Sequence, residues 1–258
     1  MSTERPLIIL TNDDGIESRG LRILEESAAR FGDVLTVAPK QQMSAVSHSI
    51  SLHGILRIEE LSPTSYCVDQ GTPTDCVYLA IHELAPRKPA LILSGVNQGL
   101  NVANDVIYSG TLAAAREGLL QGIPAMAFSM EATGDWPVHR IQADLTRILE
   151  ETLNHGIPAG TLLNVNFPAP PDGSIKGIRV TTLGRRYFSM EIHKRVDPRG
   201  RNYLWIGGNQ SEMDDIAGSD CNAIREGYIS ITPIQTDTTS HEHLSELETW
   251  PLFKPEPS

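Results

Sequence analysis

The sequence predicts an α/β fold with a mostly parallel sheet, and three segments near its start favour that class. The apolar run at residues 7–10 is typical of a strand buried on both faces. Residues 20–30 carry apolar side chains at helical spacing, and residues 34–37 follow as a second strand. Because a strand, a helix and a strand in this order form a crossover unit, the two strands are expected to be parallel.

Later segments continue the alternation of strands and helices. A helix is predicted within residues 70–84, where Thr72 suits the N-cap and Pro73 the first helical position. Residues 50–58 alternate loosely and favour an extended or hairpin excursion. The remaining elements predicted for the core are strands at 89–94, 123–129 and 161–167 and helices at 112–122 and 135–155.

The pattern changes after residue 176, where short apolar segments are separated by Gly and Pro without a helical crossover. We interpret residues 185–234 as a second, β-rich layer or arm attached to the core. The sequence therefore predicts two parts, an α/β core at residues 1–183 and a β-rich C-terminal extension at residues 184–258.

Composition and charge exclude several classes of function. The chain of 258 residues has a formal net charge of −11, which argues against nonspecific binding to nucleic acid or to an anionic membrane. Its three cysteines, Cys67, Cys76 and Cys221, lack the spacing of a zinc knuckle or a disulfide framework. Because no long apolar segment accompanies the first strand, we expect no signal peptide, no membrane span and a cytoplasmic location.

An acidic pair follows the first predicted strand. Asp13 and Asp14 precede Gly15, which permits a sharp turn, so both carboxylates are able to converge beyond the strand end. Ligands of open α/β sheets bind at this edge, and two adjacent carboxylates there suit a hard divalent cation. An ordinary turn with solvated aspartates remains an alternative interpretation.

Two later segments are expected at the same edge of the sheet. Residues 40–49 form a serine-rich loop that includes Ser44 and His48, although a merely flexible loop has the same composition. Residues 109–111, Ser-Gly-Thr, begin an alanine-rich helix whose free N–H groups suit a phosphate, with the amides of Asn97 and Asn101 nearby. A cap and a structured loop would explain the same residues. The glycine fingerprint GxGxxG is missing from the first turn, which disfavours a dinucleotide site.

Seven short motifs follow one another along the chain. They are TNDDG at 11–15, AP at 38–39 followed by Ser44 and HSIS at 48–51, GTPTDC at 71–76, SGVNQGLN at 94–101, YSGTLAAAREG at 108–118, DPRGRNYLWIGG at 197–208 and EGYISITPIQTD at 226–237. Together and in this order they resemble the SurE family of stationary-phase survival proteins over most of residues 7–237.

The resemblance implies a Rossmann-like three-layer core and a metal-dependent nucleotidase. Members of the family act on 5′- and 3′-nucleoside monophosphates, and some also cleave short polyphosphate. They form dimers or tetramers in which C-terminal segments exchange between subunits. For this chain the resemblance therefore implies a nucleotide substrate and a homodimer or homotetramer, with the C-terminal extension as an oligomerisation arm and tail.

The family's functional residues carry over to matching positions of this chain. The metal ligands implied in this way are Asp13, Asp14, Ser44 and Asn97. The phosphate contacts so implied are Asn101, Ser109, Gly110 and Thr111. Departures from the family pattern occur after Ser44, where Ser51 stands at a threonine position, and at Ala103-Asn104 in the glycine-rich loop.

The chemistry of these residue types agrees with the resemblance. Two carboxylates, a hydroxyl and an amide oxygen form an all-oxygen shell, which favours one Mg²⁺ or Mn²⁺ ion per subunit over zinc or copper. We expect Asp13 and Asp14 to be catalytic through that ion. His48 is a candidate proton donor, because histidine is the commonest general acid near neutral pH, although a polar loop residue is an equal interpretation.

Two other classes of function are left open by the sequence. A phosphatase with an aspartyl nucleophile would usually show Asp-x-Asp after the first strand, whereas Asp13 and Asp14 are adjacent. A non-catalytic sensor module that binds metal or nucleotide also begins with an acidic pair after a strand. That module explains neither the helix start at residues 109–111 nor the positions of Ser44 and Asn97.

Overall fold

The structure, a computed structural model, describes residues 4–132, 138–170, 172–188, 191–207 and 211–253. Its strands are β1 Leu7–Thr11, β2 Asp33–Pro39, β3 Arg57–Ser62, β4 Ser65–Asp69, β5 Leu91–Gln98, β6 Ala125–Met130, β7 Thr161–Phe167, β8 Ile178–Val180, β9 Arg186–Phe188, β10 Ile192–Val196, β11 Asn202–Ile206, β12 Ser211–Met213 and β13 Ile229–Gln235. Its α-helices are α1 Arg19–Ala28, α2 Pro73–Leu79, α3 Asp105–Tyr108, α4 Gly110–Leu120, α5 Val138–His155, α6 Asp220–Arg225 and α7 Leu244–Leu247.

Nine strands form one sheet in the order β3-β4-β2-β1-β5-β6-β7-β13-β8. The six strands β4, β2, β1, β5, β6 and β7, which are adjacent in this order, run parallel to one another. Strand β3 is antiparallel to β4, and β13 is antiparallel to β7. The predicted α/β class with a mostly parallel sheet is therefore confirmed.

Helices cover both faces of this sheet, because successive side chains of a strand point to opposite sides. Ile8 and Leu10 of β1 belong to a buried cluster that includes residues of α1 and α5. Leu7 and Ile9 belong to a second cluster, formed with residues of α2 and α4. The core is thus three layers thick, and the carboxyl ends of the parallel strands meet at one edge.

Local sequence explains where the helices near this edge begin. The side chain of Ser18 accepts a hydrogen bond from Leu21 N at 3.2 Å and caps α1. Thr72 is the N-cap of α2 as predicted, and it forms a reciprocal capping box with Asp75. At Gly20 an added Cβ would lie 1.8 Å from Val96 O, so glycine lets α1 approach β5 closely.

Part of the C-terminal extension belongs to the main sheet. Strand β13 lies inside the main sheet between β7 and β8, because Ile229 and Ile234 supply apolar side chains to the two opposite clusters. The hairpin β10–β11 and the pair β9–β12 form separate two-stranded sheets. The extension at residues 184–258 therefore contributes a core strand as well as two small sheets, and the arm and its boundary at 183/184 stay predictions.

Other differences are local. Within residues 50–58 the strand begins at residue 57, where β3 pairs with β4, and the residues before it form no strand. The short helices α3 and α6 lie in segments for which no helix was predicted. Residues 135–137 of the predicted helix lie outside the described residues, whereas 138–155 are helical. None of the described helices combines the length and apolar character required to cross a membrane.

Candidate active site

A turn built around Asn12 carries the acidic pair past the end of β1. The buried amide of Asn12 donates to Gly15 O at 3.0 Å and to Ser18 Oγ at 2.6 Å. The Gly15 N–H donates back to Asn12 Oδ1 at 3.2 Å, and Gly15 has φ +97°, a conformation that favours glycine. The turn is therefore fixed by its own side chains and carries Asp13 and Asp14 past the end of the strand.

Asp13 lies against the N-terminus of α4. Thr111 Oγ1 donates to Asp13 Oδ1 at 2.6 Å, and the carboxylate belongs to a residue only 6% exposed. A Cβ on Gly110 would meet the Asp13 side chain at 2.9 Å from Cβ and 3.0 Å from Oδ2. The small residue at position 110 thus allows the carboxylate to approach the helix start.

Asp14 reaches the end of the neighbouring strand β5. The Gln98 N–H donates to Asp14 Oδ2 at 3.2 Å. The adjacent Asn97 donates through its Nδ2 to Gly99 O at 2.8 Å, which fixes the amide with its carbonyl oxygen as the remaining acceptor. Asp13, Asp14 and the amide oxygen of Asn97 therefore come from two neighbouring strand ends.

The serine-rich loop is attached to this edge through its backbone. The Met43 N–H donates to Asp13 O at 2.7 Å, and the next residue, Ser44, is exposed. Further along the loop, the Ser47 N–H donates to Tyr108 O at 3.0 Å. The structure therefore brings the segment that carries Ser44 next to the acidic pair. Two backbone hydrogen bonds attach this segment, whereas the alternative interpretation was a loop without such contacts.

Burial dominates the electrostatics of the acidic pair. It raises the pKa of Asp13 to about 6, against the opposing effect of the Thr111 hydrogen bond and with a further rise from the charge of Asp14. Burial also raises the pKa of Asp14, while the hydrogen bond from Gln98 N opposes that rise. Two ionised carboxylates at this position are destabilising unless a positive charge compensates them.

The donor atoms fit a hard cation. Within the described part of the chain, no group of three or more His, Cys, Asp and Glu side chains is placed to hold a metal. A cation at this edge would therefore need neutral oxygens in addition to Asp13 and Asp14, and the amide of Asn97 and the hydroxyl of Ser44 are of that type. An oxygen set of this kind suits Mg²⁺ or Mn²⁺.

The start of α4 supplies hydrogen-bond donors beside Asp13. Ser109 is the N-cap, and its Oγ accepts from Leu112 N at 3.1 Å. The Gly110 N–H belongs to the first helical turn and has no partner within the helix. The Thr111 N–H, like the Thr111 hydroxyl, bonds the Asp13 carboxylate and lowers its pKa. The Gly110 amide, together with the positive end of the helix dipole, suits an anion such as a phosphoryl group.

Asn101 is held in a buried network of amides. Its Nδ2 donates to Ser129 Oγ at 2.7 Å, and its backbone N–H donates to Asn166 Oδ1 at 2.9 Å. Its carbonyl oxygen accepts from Asn164 Nδ2 at 2.8 Å and from Asn166 Nδ2 at 3.1 Å. The sequence analysis missed Asn164 and Asn166, although two polar side chains on one face of the otherwise apolar β7 were a usable signal.

His48 is paired with a carboxylate that the sequence analysis also missed. His48 Nε2 lies 3.0 Å from Glu117 Oε2, and the side chain of Glu117 is buried. Gln121 Nε2 donates to the second oxygen of Glu117 at 2.8 Å. Glu117 follows Thr111 by six residues, about 9 Å along the helix axis. His48 therefore contacts α4 about one to two turns beyond the point where Asp13 contacts it.

Contacts with α2 complete the attachment of the serine-rich loop. The backbone N–H and the Oγ of Ser51 both donate to the carboxylate of Asp75, each at 2.8 Å. The Thr72 hydroxyl donates to Ser49 O at 2.8 Å. Serine at position 51, a departure from the family pattern, therefore still provides a hydroxyl that binds the capping-box aspartate.

The C-terminal extension supports the loop that precedes α4. Arg186 and Asp105 form an ion pair at 2.6 Å in which both side chains are largely buried. The buried carboxylate of Asp220 accepts hydrogen bonds from Ala103 N and Gly184 N, each at 2.8 Å. Residues of the C-terminal extension thus hold residues 103–105 in place, although they do not belong to the strand ends that carry the acidic pair.

A polar cleft adjoins Asp14 on the α1 side of the sheet. It has a volume of about 430 Å³ and is open to solvent. The lining residues are Asp14, Ser18, Arg19, Gly20, Gln42 and Gln98.

Comparison with known proteins identifies a family over most of the chain. A family model described as "Survival protein SurE" matches residues 8–190. A crystal structure of the SurE protein from Aquifex aeolicus superposes with a TM-score of 0.83 at 37% identity, covering 94% of this chain and 98% of that one.

Relatives named "5′-nucleotidase SurE" match nearly the whole chain. The protein from Caldanaerobacter subterraneus subsp. tengcongensis is 43% identical over 250 residues, covering 95% of this chain and 97% of that protein. The protein from Geobacter sulfurreducens is 44% identical, with 95% and 94% covered. The protein from Gemmatimonas aurantiaca is 46% identical, with 94% and 98% covered.

The raised pKa of Asp13 predicts a pH-dependent loss of stability in the presence of EDTA. Because the folded state keeps the proton up to about pH 6 and the unfolded state releases it near 3.8, the free energy of unfolding should fall as pH rises through this interval. For Asp13 alone the fall is about 3 kcal/mol. Asp13→Asn should remove this part of the slope in urea unfolding measured from pH 4 to 7. Equal slopes for the two proteins would contradict the assignment.

Proposed function

We propose that this chain, which belongs to the SurE family, is a 5′-nucleotidase that hydrolyses nucleoside 5′-monophosphates to nucleoside and phosphate. The observation that carries the proposal is the contact between Asp13 and Thr111 at 2.6 Å. This contact places the acidic pair, which needs a cation, beside the start of α4, which offers an N–H group to an anion. The names of the relatives support the same activity.

The cation in this proposal is one Mg²⁺ or Mn²⁺ ion per subunit. Asp13, Asp14 and the Asn97 amide oxygen would hold it, with the hydroxyl of Ser44 from the attached loop. Such an ion, when bound, supplies Lewis-acid activation of the phosphoryl group and of a water nucleophile. The support comes from the all-oxygen donor set and from the unfavourable burial of the two carboxylates.

The phosphate would bind at the start of α4. The amide of Gly110 would donate to its oxygens, the amide of Thr111 would be shared between the phosphate and Asp13, and the cap of Ser109 keeps this turn of the helix in place. We include the side-chain amide of Asn101, which has a second N–H besides the one that it donates to Ser129. These donors would stabilise the charge that develops on the phosphoryl oxygens.

We propose His48 as the proton donor to the departing nucleoside oxygen. Glu117 engages Nε2, so Nδ1 is the ring atom that would carry the transferred proton. The buried carboxylate would fix the orientation of the ring. The oxygen that receives this proton is bonded directly to phosphorus, so Nδ1 would have to come within hydrogen-bond reach of the phosphate at the start of α4, about 9 Å along the helix axis from Glu117.

Several finer assignments belong to the same proposal. The enzyme would also act on 3′-monophosphates and short polyphosphate and would work as a homodimer or homotetramer in the cytoplasm, with neither nucleic acid nor membrane as a partner. The hairpin β10–β11 supports an oligomerisation arm, because Leu204, Trp205 and Ile206 are exposed there. The names of the relatives do not favour a non-catalytic sensor.

The first prediction concerns the acidic pair. Phosphate release from AMP and GMP should require Mg²⁺ or Mn²⁺ and should stop in EDTA. Asp14→Asn should lower kcat/KM roughly a thousandfold, because it removes a charge that the cation needs. Asp172→Asn, at an exposed aspartate bonded to its neighbour Ser174, is the matched control. Release that persists in EDTA would show that the metal assignment is wrong.

The second prediction concerns the proton donor. His48→Ala should lower kcat for AMP about a hundredfold, because an alkoxide leaving group needs a proton. The same variant should hydrolyse p-nitrophenyl phosphate nearly as fast as the wild type, since nitrophenolate leaves without one. Mn²⁺ affinity should be unchanged. Equal losses on both substrates would remove His48 from this role.

A further inference from the structure

Ile107 and Tyr108 are exposed apolar residues at the end of α3, directly before the start of α4 where the phosphate is proposed to bind. Their exposed fractions are 60% and 59%. Tyr108 immediately precedes Ser109, the cap of α4, and is two residues from Gly110, which contacts Asp13. A substrate phosphate at this helix start would therefore lie within a few residues of an aromatic ring in contact with solvent.

Exposed aromatic side chains are rare in this part of the chain. Within residues 4–132, all of which the structure describes, only Tyr78 and Tyr108 are exposed aromatic residues. The ring of Tyr78 lies 4.4 Å from the ring of His82, on a helix surface that the reaction does not use. The position of Tyr108 beside the acidic pair calls for a different explanation.

The backbone around Tyr108 is held by two hydrogen bonds. Its carbonyl oxygen accepts from Ser47 N at 3.0 Å, so it is joined to the loop that carries Ser44. The Ser109 N–H donates to Asp105 O at 3.0 Å, and Asp105 is paired with Arg186. A side chain on such a support loses little further entropy when a ligand covers it, since tyrosine has few rotatable bonds.

We propose that Tyr108, flanked by Ile107, is the platform on which the nucleobase of the substrate stacks. The inference rests on the proposed nucleotidase function and names the part of the site that distinguishes nucleotides from other phosphate monoesters. Bases stack on aromatic side chains with little regard to sequence, because every base has a π-face. The polar cleft beside Asp14, lined by Arg19, Gln42 and Gln98, offers no aromatic ring.

The test compares two substrates that share the phosphate and the sugar but differ in the base. With Mn²⁺ present, KM and kcat are measured for AMP and for ribose 5-phosphate. Tyr108→Ala should raise KM for AMP about tenfold and change KM for ribose 5-phosphate by less than about twofold, with kcat little altered. Tyr108→Phe keeps the ring and should resemble the wild type. Tyr78→Ala is the matched control and should change neither substrate.

Five results would overturn the platform. Three concern KM: an equal rise for both substrates, no change for AMP, or a Tyr108→Phe variant as impaired as Tyr108→Ala. A changed oligomeric state of Tyr108→Ala in light scattering would make this surface an interface between copies. Loss of all activity in Tyr108→Ala while Tyr108→Phe remains active on both substrates with unaltered selectivity would assign the ring a structural role. If the wild type does not hydrolyse AMP, the proposed function itself is refuted, and this result is distinct from every result that refutes only the platform.

Discussion

The site depends on one costly placement, the burial of Asp13 between the end of β1 and the start of α4. Thr111 donates a hydrogen bond to the carboxylate, but burial still raises its pKa to about 6. A carboxylate in this position is unfavourable in the folded protein by itself, which is typical of residues selected for binding rather than for stability. Gly110 and the Asn12 turn serve this placement, the first by leaving space and the second by fixing the chain direction.

The surroundings of the acidic pair are held by contacts between distant parts of the chain. Asn166 on β7 binds both backbone groups of Asn101, and Asp220 of the C-terminal extension accepts from Ala103 N. Glu117 on α4 pairs with His48 of the serine-rich loop. Each contact satisfies a buried polar group, so loss of one partner would leave the other unsatisfied. The loops at this edge therefore keep one arrangement without being part of the sheet.

The sequence predicted the parts of the site that follow from local pattern. The turn after β1 and the cap of α4 at Ser109 have residue types that permit few other structures, and parallel strands bring their ends to one edge. The partner of His48 could not be predicted, because Glu117 is 69 residues away on a helix whose pattern gives no sign of the pairing. The position of β13 between β7 and β8 could not be predicted either, because it depends on pairing with strands that are distant in the sequence.

The central claim is that Asp13 and Asp14 form a cation seat beside α4, and Mn²⁺ binding measured by isothermal titration calorimetry at pH 7 tests it most directly. The wild type should bind about one Mn²⁺ per chain, and Asp13→Asn should weaken the affinity about a hundredfold, because it removes one of two charges at the seat. Thr111→Val, which keeps both charges, should bind with nearly unchanged stoichiometry. Wild-type affinity in Asp13→Asn, or absence of binding by the wild type, would contradict the account.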